Sequence, residues 1–121
     1  MVTAVTSLGR NGLSDWLVQR VTGVVLLAYF LFIGWVVFFG PELTFASWNA
    51  LFDKTWVRIF SLAAILSTAA HAWIGLWSVS TDYLTERLMG PKGNVLRLIF
   101  QAVVAIVLFV YVIWGIQILW A

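Results

Sequence analysis

The chain has 121 residues, 63% of them hydrophobic and only 10% charged, with a net charge of +2 and a mean hydropathy of +1.01. A soluble domain of this size leaves too much of its area exposed to hide that apolar excess, so lipid must solvate most of it. The absence of cysteine excludes disulfides, thiolate metal sites and an iron–sulfur cluster bound by this chain alone.

The chain opens with MVTAVTSLGRNGLSDWLVQR, a polar stretch without a short apolar core or a small-residue cleavage site. No separate targeting segment is expected there. The basic amphipathic pattern of an organelle transit peptide is also missing, which favours a bacterial inner membrane. Val21–Pro41 follows without a single charge, as do Ile59–Thr81 and Leu98–Ala121 further on. Each run exceeds the roughly 20 residues that cross a hydrocarbon core. A helix satisfies its own backbone in lipid, and the runs lack the alternation of a β-barrel strand. The expectation is an all-α integral membrane protein with three transmembrane helices, over roughly 15–39, 57–82 and 95–120, forming one anchor domain that packs in a bundle with a partner anchor.

Between the first two spans, GPELTFASWNALFDKTW holds breakers and the makings of a short interfacial helix at FASWNALF. Between the second and third, TERLMGPKGNVLR contains the turn-forming GPKG. Most of the eight Trp fall near span boundaries, among them Trp16, Trp48, Trp56 and Trp120, as an interfacial belt requires. The third span is mainly structural, with Gln101 and Gln117 able to bond across helices. Lys and Arg number five in the amino-terminal segment and the second loop (Arg10, Arg20, Arg87, Lys92, Arg97) against two in the first loop (Lys54, Arg58). Positive charge stays inside, so the amino terminus is expected in the cytoplasm and the carboxy terminus in the periplasm. Basic residues placed this way orient and anchor the chain, and they do not point to nucleic acid.

His71 is the only histidine and falls within the second span. It precedes Asp82 by a helical rise of roughly 16 Å, which puts it near the bilayer middle. Ala63, Ala64, Ser67, Gly75 and Ser78 share its face, a stripe of small residues over which a helix or a flat ligand can approach. Ser67, four residues earlier, is the expected partner of one imidazole nitrogen. Three readings compete: an imidazole hydrogen-bonded across a helix interface, a proton relay, and an axial haem ligand. The relay lacks an intramembrane Asp or Glu to continue it. Haem needs a second donor that this chain does not offer, since Met1 and Met89 lie outside the spans.

Two crossings return the chain to its starting side, so Arg20, Asp82 and Tyr83 are expected together at the cytoplasmic interface. Each has an ordinary reading: Arg20 snorkels, Tyr83 belongs to the aromatic belt, Asp82 caps or pairs. The functional reading is a mouth between the first two helices, with a phenol for a quinone carbonyl, an acid for protons and a guanidinium for a haem propionate.

LGRNGLSDWLVQR before the first span and HAWIGLWSVSTDY ending the second resemble the hydrophobic membrane anchor of bacterial succinate dehydrogenase, the succinate:quinone oxidoreductase of respiratory complex II. The resemblance spans nearly the whole chain. It implies a four-subunit enzyme of the tricarboxylic acid cycle and the electron transport chain. A flavoprotein subunit with FAD oxidises succinate, and an iron–sulfur subunit passes the electrons on. Two anchors, this chain and a cytochrome b-type partner, share haem b and build the ubiquinone site. The resemblance makes His71 the haem axial ligand, Arg20 the propionate partner, and Tyr83 with Asp82 the quinone-binding pair. Arg10 and Asn11 are expected to dock against the soluble subunits. The chain departs from some relatives at Ser14, where they carry His. No activity is expected from this chain alone. The alternatives are the anchor of a related fumarate reductase and a non-redox helper subunit of a membrane complex.

Overall fold

The computed structural model of the chain describes residues 12–121, so Arg10 and Asn11 lie outside the described residues. Helices α1 (Gly12–Phe39), α3 (Thr55–Tyr83) and α5 (Gly93–Leu119) are long and apolar enough to cross a membrane. At 1.5 Å per residue each runs to roughly 40 Å or more, beyond the ~30 Å hydrocarbon core. The fold is all-α. The central helix is α3, packed against α1 on one side and α5 on the other.

The short helix suggested by FASWNALF forms as α2 (Phe45–Asp53). Its start is fixed reciprocally: the Ser47 amide donates to Thr44 Oγ1 at 3.0 Å, and the Thr44 amide donates to Ser47 Oγ at 2.9 Å. That arrangement satisfies two donors the helix itself cannot. Lys54 is extended and breaks the helix, and α3 begins at the next residue. Arg58 Nε then donates to the Phe52 carbonyl at 2.7 Å, tying α2 to the first turn of α3. On the other side of the molecule, Thr85 caps α4 (Glu86–Met89). A 3₁₀ turn over Gly90–Lys92 leads into α5, with Gly90 at φ +74°, a conformation glycine adopts without the Cβ penalty. Arg97 closes this connection by donating from Nη1 to the Leu84 carbonyl at 3.5 Å, while its other amino group donates to Asn94 Oδ1 at 3.0 Å within α5.

The burial pattern inverts that of a soluble domain. Among the described residues the buried apolar side chains are Val57, Ala64 and Ile74, whereas Asp15, Thr22, Ser61, Ser67 and Ser80 are all buried and polar. Large apolar groups face outward, with Phe30 and Phe38 at 73% and 80% exposure. Lipid is as apolar as leucine, so helices there associate through close packing and hydrogen bonds rather than by hiding hydrocarbon. The α3–α5 contact follows the same logic. Gln101 Nε2 donates to Ser80 Oγ at 2.9 Å, while that hydroxyl donates to the Trp77 carbonyl at 2.7 Å. Gln117 is exposed.

Candidate functional site

Thr22 and Tyr29 are the hydroxyl-bearing residues of the first charge-free run, seven positions apart and therefore on one face of α1. That face meets α3 in antiparallel register. Tyr29 Oη lies 2.7 Å from Ser61 Oγ, and Thr22 Oγ1 lies 3.0 Å from His71 Nδ1. The ring of Tyr29 also packs edge-on against Phe60 with centroids 5.0 Å apart. The seam thus has an aromatic end near the α1 carboxy terminus and a polar end at His71.

His71 is half-buried, and Thr22 is its hydrogen-bond partner among the described residues. The expectation that Ser67 would hold the imidazole is corrected here. Ser67 is buried on the same helix, but the ring reaches across to α1 and takes its bond there. Beside the ring stands Gly23, where an added Cβ would come 3.8 Å from His71 Cε1. Thr22 is itself only 7% exposed, and its oxygen also lies 2.7 Å from the Val18 carbonyl and 3.2 Å from that of Gln19.

The three residues expected at one mouth fall at different levels. Arg20 is two positions before Thr22, so it stands within about one turn of the His71 level. Its guanidinium sits 5.0 Å over the Trp16 ring, one turn back toward the amino terminus, in a cation–π contact. Asp82 and Tyr83 lie eleven and twelve residues past His71, at the end of α3, both exposed and adjacent to each other. Tyr83 is 64% exposed. The structure therefore groups Arg20 with His71, and Asp82 with Tyr83, as two separate levels.

Sequence reasoning missed Thr22, and it also missed a cavity of about 630 Å³ among α1, α3 and α5. Ser14, buried Asp15 and Trp73 contribute to its wall, which is otherwise apolar; neither Asp82 nor Tyr83 lines it. Among the described residues no three His, Cys, Asp or Glu side chains gather as a metal site. Any metal held through His71 would thus need further ligands from a cofactor or a partner.

Comparison with known proteins adds an independent line. The family model described as succinate dehydrogenase/fumarate reductase transmembrane subunit matches residues 3–113. The chain is also 34% identical over 111 residues to the succinate dehydrogenase hydrophobic membrane anchor subunit of Coxiella burnetii, covering 92% of this chain and 90% of that one.

Proposed function

The chain belongs to the succinate dehydrogenase/fumarate reductase transmembrane subunit family, and on that premise we propose that it anchors a succinate:ubiquinone oxidoreductase in the bacterial inner membrane. In this reading it holds the flavoprotein and iron–sulfur subunits at the cytoplasmic face, with its amino terminus inside. It shares haem b with a second, cytochrome b-type anchor and contributes to the ubiquinone-reduction site.

One observation carries the haem assignment: the single histidine of the chain sits in a span with Nδ1 held by Thr22 and glycine beside its ring. A ligating imidazole characteristically has one nitrogen engaged by a neighbour and the other available to metal. The chain's residues fit the group on that test, and the partner anchor would have to supply a further ligand. When bound there, haem b would supply a one-electron store. Arg20, near the His71 level, would exchange its Trp16 contact for a propionate carboxylate, a stronger charge-assisted bond.

Ubiquinone reduction requires two electrons, which come from the iron–sulfur subunit, and two protons. Tyr83 would donate its phenolic proton in a hydrogen bond to a quinone carbonyl, stabilising negative charge as it builds on that oxygen. Asp82, beside it and exposed, would pass protons from cytoplasmic water.

The test is a reduced-minus-oxidised visible spectrum of the purified complex, wild type beside His71→Ala. Haem b bands that shift or vanish in the variant are expected. A wild-type complex without haem would make His71 a structural interhelical group and return the chain to a non-redox anchoring role.

A further inference from the structure

We propose that Thr22 is the positioning residue that fixes the His71 proton on Nδ1 and so presents Nε2 as the lone-pair nitrogen. This rests on the reading of His71 as a haem ligand. The Thr22 hydroxyl carries a single hydrogen, and its shortest contact, at 2.7 Å, is the Val18 carbonyl, which can only accept. The second carbonyl nearby, of Gln19 at 3.2 Å, can also only accept. The hydroxyl proton is therefore committed within α1. What Thr22 Oγ1 turns toward His71 Nδ1, 3.0 Å away, is a lone pair.

A lone pair requires a donor, so Nδ1 carries the hydrogen, and in the neutral ring Nε2 is left with the electron pair. The reverse tautomer would require the hydroxyl to abandon both carbonyls and donate to Nδ1 instead. The result is a relay of fixed direction, from imidazole N–H to hydroxyl to backbone carbonyl, in which each bond polarises the next. Because the terminal acceptor belongs to the α1 backbone and Thr22 is buried, the direction is set by the helix rather than by a mobile side chain.

Donation from Nδ1 makes an imidazole a more basic ligand, which favours the oxidised metal. A hydroxyl is a weaker acceptor than a carboxylate, so this arrangement orients the ring while adding less electron density than a carboxylate would. Removing the acceptor should free the ring to rotate and move the haem midpoint potential in the positive direction. Loss of such an outer-shell partner generally weakens metal binding by about 10- to 100-fold.

The experiment uses the purified four-subunit complex carrying Thr22→Val, Thr22→Ala or Thr22→Ser. Haem transfer to excess apomyoglobin and potentiometric titration of the haem bands are followed in each. Val keeps the shape without the hydroxyl, Ala removes both, and Ser keeps the hydroxyl alone. The expected result is haem loss about tenfold faster and a more positive potential in Val and Ala alike, with Ser close to wild type. Val and Ala indistinguishable from wild type in both readouts, with His71→Ala still abolishing the bands, would overturn the role of Thr22 and leave haem ligation standing. Failure of both Val and Ala to assemble while Ser assembles would make the Thr22 hydroxyl a requirement of assembly rather than of haem positioning and equally overturn it. Absence of haem from the wild type would instead remove the reading on which it rests.

Discussion

The hydroxyl pair at the aromatic end of the seam offers the cleanest energetic test of how α1 and α3 associate. Tyr29→Phe deletes one oxygen and keeps the ring, including its contacts with Phe60 at 5.0 Å and Phe32 at 6.2 Å between centroids. It removes the 2.7 Å partner of Ser61, a residue only 3% exposed. Ser61 is not then stranded, because a helical Ser or Thr can turn to a carbonyl four residues back. Thr68 does so with Ala64 at 2.8 Å, and Ser78 with Ile74 at 3.1 Å. The loss should accordingly follow the measured range for interhelical hydrogen bonds in lipid, about 0.6 kcal/mol and at most about 1.7. That corresponds to a factor of roughly 3 to 18 in the equilibrium constant. The assay is SDS titration of the purified assembly in mild detergent, read by helical circular dichroism, for wild type, Tyr29→Phe, Ser61→Ala and the double variant. The four midpoints give a coupling energy free of the single-site effects. A coupling indistinguishable from zero would refute the claim that this bond helps hold the helices together.

Three further outcomes are expected. Tyr83→Phe should lower quinone turnover by on the order of 100-fold, as loss of a donor to developing charge does, while leaving subunit assembly intact; unchanged steady-state quinone reduction would remove Tyr83 from the site. Arg20→Ala should lower the haem content of the purified complex, measured by pyridine haemochrome, and an unaltered content would leave Arg20 as an interface anchor over Trp16. Thr44→Ala should destabilise α2 by about 1 kcal/mol, seen as faster hydrogen exchange at the Ser47 amide with little change around His71.

The spans were legible because charge is so costly in hydrocarbon that three long runs without Asp, Glu, Lys or Arg admit few other readings. The cap that opens α2 was less visible, since Thr44 and Ser47 declare a helix start only once the neighbouring breakers are noticed. His71 was conspicuous as an ionisable group in a span, but its partner was not. Hydrogen bonding between helices depends on a register that neither helix encodes alone, so attention to α3 by itself led to Ser67. The signal that points to Thr22 lies in α1: two hydroxyl residues seven apart in an otherwise apolar run mark the face that meets another helix. The same register also sets the height of Arg20 in the bundle. Arg20 and Tyr83 both flank spans on one side in sequence, yet the described part of α1 begins well before Arg20 and carries it to the His71 level. The Gln101–Ser80 bond was half legible, its glutamine recognised and its serine partner not.

The internal bond of Thr22 also bears on the order in which the membrane protein is made. Synthesis at about 5–20 residues per second brings α3 out of the ribosome some seconds after α1. Through that interval α1 must reside in lipid without its neighbour. Its most buried hydroxyl does not wait unsatisfied, because the proton of Thr22 already rests on the Val18 carbonyl of the same helix. A newly inserted α1 thus offers an acceptor that is stable before it is used. When α3 arrives, His71 can add its bond without any earlier one being broken. The Tyr29–Ser61 pair can then lock the alignment, since a slip of one helical turn would undo both contacts together.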